Sequence, residues 1–335
     1  MKKVEKLNYK FDYLTGVRPT SDLTVANYLG AIKPILDLQK QGLNGVVFVA
    51  DLHGLTDNEP SVIKKYILEV VADYIALGID PKKTKIYLQS DIAGETTTLM
   101  TLLARHITVA ELLRVPTLKD KLKGNSKPEN ANALLMLYPV LMAADILIQR
   151  TKKVPVGEDQ IPHLEVTRRL ADKFNKKYGN ILPLPELLAI KALRILSLKG
   201  DGKMSKSNPS GAIFLTDDLQ TVAQKIKTAE TAFEGKMNDK LESHILIAKG
   251  LAKTEEEIKE INAVIKEHKL GKPVMKDFKQ IFTKIIQNFI KEFQVKRAGI
   301  IKNPEAILSI LEQGGKIAKD NAQETIKAVQ EAMYR

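Results

Sequence analysis

Apolar positions along the first half of the chain come in short unbroken runs separated by helical spacing. Gly45-Val46-Val47-Phe48-Val49-Ala50 and Lys85-Ile86-Tyr87-Leu88-Gln89 are too short for helices, and buried parallel strands need such continuous apolarity. A run of extended formers ends at Gly16, where Pro19 fixes the backbone direction. The apolar period then lengthens and predicts a helix from Leu23 to Gln39, with Asp22, Thr24 or Asn27 supplying caps. Asn58-Glu59-Pro60-Ser61 opens a further helix through Tyr74 that stops at Gly78. A helical stretch near Thr97 to Arg114 follows the second of the two apolar runs and completes another strand-helix unit.

The periodicity breaks between Thr117 and Asn132, where Leu118 to Pro128 reads as a mobile basic loop or a solvated charge run. Ala133 to Ile148 is almost wholly apolar and predicts a buried helix that nevertheless carries Asp145. Tyr138, Met142 and Asp145 share one face of it. A carboxylate on such a face must be paired, protonated or used for recognition. Val154 to Gln160 reads as a strand ending in a polar turn, with His163 opening the next helix. One His among closely spaced carboxylates lacks a metal-ligand pattern, so no protein metal site is expected there. Leu182-Pro183-Leu184-Pro185 forms a rigid connector.

From Thr216 onward the period is helical throughout, with helices expected over Ser243–Leu251, Glu255–Lys269, Met275–Phe293, Pro304–Gln313 and Ala318–Arg335. The fold expected is α/β, a doubly wound parallel-sheet, Rossmann-like domain over 1–204 with a smaller all-helical domain over 205–315. The terminal helix, 316–335, returns to the first domain.

The 335 residues suit two unequal units rather than one simple core. The chain has no Cys, which removes disulfides and thiolate metal sites and fits a reducing cytoplasm. No apolar run reaches membrane-spanning length, and none of signal-peptide length follows Met1. A formal charge of +12 suits a polyanionic partner, although solubility alone also accounts for it. Residues 266–302 hold ten Lys or Arg against three Asp or Glu, which leaves a basic helical face suited to a nucleic-acid backbone.

Two stretches carry the chemistry. The turn Gly16 to Thr20 opens a helix, and a helix start offers unpaired N–H groups to an anion. Asn27 projects near that end, and Gly30 leaves room one turn later. Gly200-Asp201-Gly202-Lys203-Met204-Ser205-Lys206-Ser207 is a flexible loop whose hydroxyls, N–H groups and lysines suit a polyphosphate. No Walker spacing accompanies it, and a generic surface loop fits the spacing equally.

Together these stretches resemble the bacterial-type tryptophanyl-tRNA synthetases, class I aminoacyl-tRNA synthetases, over nearly the full length. Lys203-Met204-Ser205-Lys206-Ser207 matches the family's KMSKS signature, and Thr24-Val25-Ala26-Asn27 stands where the first class I signature falls. Tyr138-Pro139, Leu141 to Asp145 and Val156 to Gln160 resemble family motifs in the expected order. The resemblance implies activation of L-tryptophan by ATP with Mg2+, then transfer to the terminal adenosine of tRNA(Trp), in a cytoplasmic homodimer with no membrane partner. It assigns catalysis to Lys203, Lys206, Lys119 and Lys121. Nucleotide binding falls to Arg18, Thr24, Asn27, Gly30, Gly157, Asp159, Met204, Ser205 and Ser207, and tryptophan binding to Tyr138, Met142, Asp145 and Gln160. Two departures stand out: Ala26 where the family has Gly, narrowing the adenine site, and Arg18 where many relatives have Gln. A tyrosyl-tRNA synthetase or a noncatalytic RNA-binding paralogue are the alternatives; a helical assembly protein explains neither signature.

Overall fold

The computed structural model describes residues 7–122, 130–157, 160–189, 195–200 and 202–334. Its first half runs β1 (Phe11–Val17), α1 (Val25–Asn27), a π turn (Tyr28–Ile32), α2 (Lys33–Lys40), β2 (Gly45–Val49), α3 (Asp51–Gly54), α4 (Pro60–Ala76) and β3 (Thr84–Leu88). Then come α5 (Ala93–Ala104), α6 (Val109–Leu112), α7 (Pro116–Leu122), α8 (Ala133–Ile148), β4 (Thr151–Val156), α9 (Ile161–Tyr178) and β5 (Glu186–Ala189). The remainder is helical: α10 (Leu219–Lys227), α11 (Asp239–Leu251), α12 (Glu255–Lys269), α13 (Met275–Ile301) and α14 (Pro304–Tyr334).

The strands form one parallel sheet in the order β3-β2-β1-β4-β5. Every residue of β2 is buried, which is why its sequence is apolar without alternation. The sheet separates two cores. One joins Tyr13, Val47 and Ile86 to α4 and to Phe278, Phe282 and Ile286 of α13. The other joins Leu14, Val46 and Tyr87 to α8, α9 and to Ala318, Ala322 and Val329 of α14. Strand order reverses between β1 and β4, and the crevice beyond the strand C-termini at such a reversal is where open α/β sheets hold ligands. Among the described residues no helix is long and apolar enough to cross a membrane.

The stretch from Leu118, expected as a loop, begins instead inside helix α7, with Leu118 and Leu122 buried in the core, and the rest of it, 123–128, lies outside the described residues. Three further elements differ from their sequence expectations. The Leu23–Gln39 helix begins at Val25, ends at Lys40 and widens into the π turn at Tyr28–Ile32. Pro34 lacks an N–H and its ring crowds the carbonyl four residues back, that of Gly30, so the ladder opens there. The Thr97 to Arg114 stretch is two helices, α5 and α6, because Thr108 begins a new capping box with Glu111. Finally, Pro304–Gln313 and Ala318–Arg335 are one helix through Gly314 and Gly315. A β-carbon on Gly314 would lie 1.9 Å from the Ile86 carbonyl oxygen. The glycine pair therefore marks close approach to edge strand β3, not a break.

The terminal helix is tied down by buried polar groups. Arg150 Nε donates to Asn321 Oδ1 at 2.8 Å, and Asn321 Nδ2 donates to the Gln149 carbonyl at 2.9 Å. Arg150 itself sits at φ 50°, uncommon for a side-chain-bearing residue, and its pairing with Asn321 and Glu324 holds that conformation.

Candidate active site

At the crevice lies a cavity of about 470 Å3 whose apolar walls come from five elements. Leu14 and Gly16 of β1, Gly30 and Ala31 of the π turn, Phe48 and Ala50 beside β2, Met142 and Ile146 of α8, and Val154 and Pro155 of β4 supply an apolar interior. Arg18, His53, Thr117, Lys121, Gln160 and His163 add polar groups to the lining. This combination suits a flat apolar ligand carrying a polar, charged end.

The mouth is cationic. Arg18 and Lys121 both line it and both pair with Asp57, Lys121 Nζ donating to Oδ2 at 3.2 Å. Partial burial works against ionisation of Asp57, but the Arg18 hydrogen bond and charge, with Lys121, outweigh it and hold the carboxyl below its ordinary range. Lys121 also lies 5.4 Å from the centre of the Tyr138 ring. Arg18 Nε is buried with no hydrogen-bond partner among the described residues, a donor available to an anion.

Beside these cations a polar chain lines the cavity. Tyr138 donates its hydroxyl to Thr117 Oγ1 at 3.0 Å, and the Thr117 hydroxyl lies 2.5 Å from His163 Nε2. Deeper, His53 Nε2 donates to Asp145 Oδ2 at 2.8 Å, and Gln89 Nε2 lies 2.9 Å from both Asp145 oxygens. His53 lines the cavity, whereas Asp145 is wholly buried behind it. Desolvation pushes the Asp145 carboxyl up, against the pull of His53 and Gln89.

The first signature is a reciprocal cap. Asn27 N donates to Thr24 Oγ1, while Thr24 N and Oγ1 donate to Asn27 Oδ1. Thr24 is buried, and the Asn27 amide oxygen is committed, which aims its Nδ2 end outward. Ala26 is partly buried against the sheet-α13 core rather than lining the cavity.

The second signature sits on a hairpin closed by an antiparallel bridge between Leu196 and Lys203, with Gly200 and Gly202 at φ 68° and 100°. Met204 is a core residue whose N–H donates to the Ile195 carbonyl, so it anchors the loop. Ser205 and Ser207 hydroxyls lie 3.0 Å apart, Lys203 is exposed, and Lys206 Nζ donates to the Ser21 carbonyl at 3.1 Å. Burial lowers the Lys206 pKa against the opposing pull of Asp22 and Asp73.

Of the residues expected from sequence, Arg18, Gly30, Lys121, Tyr138, Met142, Gly157 and Gln160 line the cavity. Lys119 is exposed on α7 and does not; Asp159 lies outside the described residues. Thr24, Asn27, Lys203, Lys206, Ser205 and Ser207 do not line it, although Lys206 reaches the turn before the first signature through the Ser21 carbonyl. Sequence reasoning assigned no individual role to His53, Asp57, Gln89 or Thr117. For Gln89 the signal available was a polar residue directly after the C-terminus of β3.

A family model described as "tRNA synthetases class I (W and Y)" matches residues 6–298. The chain is similar to the tryptophan–tRNA ligase of Ureaplasma parvum serovar 3, at 37% identity over 341 residues, 95% of this chain and 98% of that one. Similarity to the Bacillus subtilis tryptophan–tRNA ligase is 35% over 332 residues, 95% of this chain and 96% of that one. The fold is similar to a crystal structure of Campylobacter jejuni tryptophanyl-tRNA synthetase complexed with ADP and tryptophan, with TM-score 0.80, 31% identity and coverage of 96% and 99%. For the Mycoplasma pneumoniae enzyme the TM-score is 0.84 at 31% identity, covering 97% and 98%. With its two signature segments meeting beside a cavity at the sheet reversal, the chain belongs to the tryptophanyl-tRNA synthetases of the class I family.

Proposed function

We propose that tryptophan is activated in the cavity between Met142 and the Arg18–Lys121 mouth, with ATP lying across the two signature segments. The activity is that of the family: tryptophan is joined to tRNA at the expense of ATP. The observation that carries the site assignment is the separation of character within one cavity, apolar along Met142, Ile146 and Val154 and cationic at its mouth. An indole fits the first and an α-carboxylate beside a phosphate fits the second.

The tryptophan carboxylate oxygen attacks the α-phosphorus, the bond from that phosphorus to the bridging oxygen breaks, and pyrophosphate leaves. No protein nucleophile is required, so the chain's contribution is orientation and charge. Tyr138 and Gln160 hold the amino-acid end. Lys206 and Lys203 follow the charge that develops on the departing pyrophosphate, with Lys121 at the mouth and Lys119 on the same helix, α7. Asn27 offers its amide donor to phosphate, and Arg18, Thr24, Gly30 and Gly157 shape the nucleotide's bed together with Ser205 and Ser207, on a loop that Met204 anchors. The cationic donors present fit a polyphosphate. Magnesium arrives with ATP, held mainly by phosphate oxygens and water.

The division into 1–204, 205–315 and 316–335 assigns activation to the first unit and the tRNA anticodon region to the second. The basic surface of 266–302 supports that reading. A cytoplasmic homodimer follows from the family likeness, and light scattering that shows only monomer at assay concentration would oppose it.

The chain contains no Trp but nine Tyr, so bound tryptophan can be followed by its own fluorescence when it is excited beyond the tyrosine absorption band. Titration should saturate with wild type, and Met142→Asp should abolish binding while leaving the fold intact by circular dichroism. Undiminished binding in that variant would remove the cavity from this role.

A further inference from the structure

The side chain of Gln89 is wholly buried and lines no part of the cavity, yet it reaches two residues at and behind the cavity wall. Its Oε1 accepts the His53 backbone N–H at 3.2 Å, and its Nε2 lies 2.9 Å from both oxygens of Asp145. A backbone N–H can only donate, so the first contact fixes which end of the amide is oxygen and leaves the NH2 group facing the carboxylate. The backbone around Gln89 is pinned on either side. Leu88 N donates to Asp91 Oδ2 and Ser90 N to Asp51 Oδ1, each at 3.1 Å.

The two donors on Asp145 are not equivalent. His53 Nε2 serves Oδ2, whereas Gln89 reaches both oxygens and is the only donor to Oδ1 among the described residues. A carboxylate held at one oxygen can turn about that contact; held at both, it cannot. Oδ1 keeps acceptor capacity beyond the Gln89 contact. Burial disfavours the charge on Asp145, and the donors His53 and Gln89 oppose that effect.

We infer that Gln89 is a positioning residue for tryptophan selection: it fixes the Asp145 carboxylate in the orientation from which Oδ1 accepts the indole N–H, without itself touching the substrate. This inference rests on tryptophan binding in the cavity with Asp145 as the acceptor of its ring donor. Without the amide, burial prevails. Asp145 then takes up a proton at a higher pH than in wild type, and a carboxyl group is a poorer acceptor than a carboxylate. Around Asp145 stand His53 and Asp51 from α3, with Tyr87 and Gln89 from the end of β3. His53 favours the charge and Asp51 opposes it, and both are common to wild type and variant.

The test uses the full-length protein and two ligands: tryptophan, followed by its own fluorescence, and benzothiophene-alanine, which lacks the ring donor and is measured by displacement of tryptophan. Gln89→Met keeps the volume but loses both amide contacts. Its tryptophan affinity should fall on the order of ten- to a hundred-fold, while that of the analogue changes by less than about two-fold, so the preference is lost. Between about pH 5 and 8 the ratio of the two affinities should rise with pH through a midpoint higher than in wild type. The analogue carries the same amino-acid end, which cancels the other titrating groups. Gln89→Asn withdraws the amide by one methylene; it should shift preference and midpoint in the same direction, and it covers the case in which the methionine variant folds poorly. Added to Asp145→Asn, Gln89→Met should cost no more than about two-fold in tryptophan affinity, because it acts through the residue already changed. A merely structural glutamine predicts additive losses shared by the analogue; that result, or a wild-type preference and pH profile in Gln89→Met, overturns the inference. Asp145→Asn run alone separates the two levels. If it loses the preference while Gln89→Met keeps it, only the role of Gln89 fails; if it keeps the preference, Asp145 is not the acceptor and the inference falls with that reading.

Discussion

His53 and Asp145, 92 positions apart in sequence, form a buried hydrogen bond of 2.8 Å, His53 Nε2 donating to the carboxylate. The imidazole stands at the cavity wall and the carboxylate behind it, so the acid on the apolar face of α8 is reached through a cavity-lining donor. Asp145 Oδ1 accepts from Gln89 and retains capacity for a further donor. The carboxylate is at once a partner of His53 and the acceptor proposed for the indole N–H, standing behind the cavity wall rather than lining it.

Asp145→Asn tests that dual position. The amide presents N–H groups to His53 and Gln89, both already donors, and offers the ligand a weaker acceptor. Loss of a hydrogen bond to a charged group costs on the order of 1.5–3 kcal/mol. Tryptophan affinity should therefore fall more than ATP affinity, and the preference for tryptophan over its benzothiophene analogue should collapse. Binding of both ligands to wild type and variant, once similar melting is confirmed, decides it; an unchanged preference removes Asp145 from indole recognition.

Lys206→Ala should slow adenylate formation on the order of 10²- to 10³-fold while leaving tryptophan binding intact, since the lost charge is needed where pyrophosphate charge develops. Rapid-quench measurement at saturating substrates gives the number. Equal losses in ground-state ATP binding and in rate would instead mark Lys206 as a uniform binding contact.

Burial and the nearby Lys279 and Lys240 hold the His244 pKa down to about 4 from 6.5. The native state keeps His244 neutral while the unfolded chain protonates it below 6.5. Its contribution is thus complete above pH 6.5 and lost as pH falls toward 4, about 3 kcal/mol in all. Asp73, pushed up to about 6 first by desolvation, has the opposite slope, because the native state holds its proton longer as pH rises from 3.8. Urea unfolding from pH 4 to 7 should show stability rising less steeply in His244→Leu than in wild type. Parallel pH profiles would refute the assignment.

Two glycines in long helices should respond with opposite sign. A β-carbon at Gly314 meets the Ile86 backbone, whereas one at Gly299 meets nothing within 4 Å. Gly314→Ala should destabilise by about 1–3 kcal/mol through overpacking, and Gly299→Ala should stabilise by about 0.5–1 kcal/mol through helix propensity. Denaturant midpoints for the two variants provide the comparison.

What the sequence made legible was whatever repeats locally. β2 and β3 show as apolar runs because parallel strands are buried on both faces, and α8 shows to the residue because nothing polar interrupts it before Asp145. Both signatures read directly, and the cavity draws on several of the residues they flank. What stayed hidden depends on contacts distant in sequence: Gln89 meets Asp145 across 56 positions, and Asp57 meets Lys121 across 64. Gly314-Gly315 misled for the same reason, since a glycine that admits a neighbouring strand and one that ends a helix look alike until the neighbour is placed. Met204 reads as a nucleotide contact from its motif, yet its side chain belongs to the core.

The central claim is that this chain activates tryptophan with ATP, Ala26 notwithstanding. Amino-acid-dependent exchange of labelled pyrophosphate into ATP, with tryptophan and tyrosine compared on the same preparation, tests it most directly. Exchange that requires tryptophan and is negligible with tyrosine is the expected result. Exchange with tyrosine instead, or none with either amino acid from a folded protein, would contradict it.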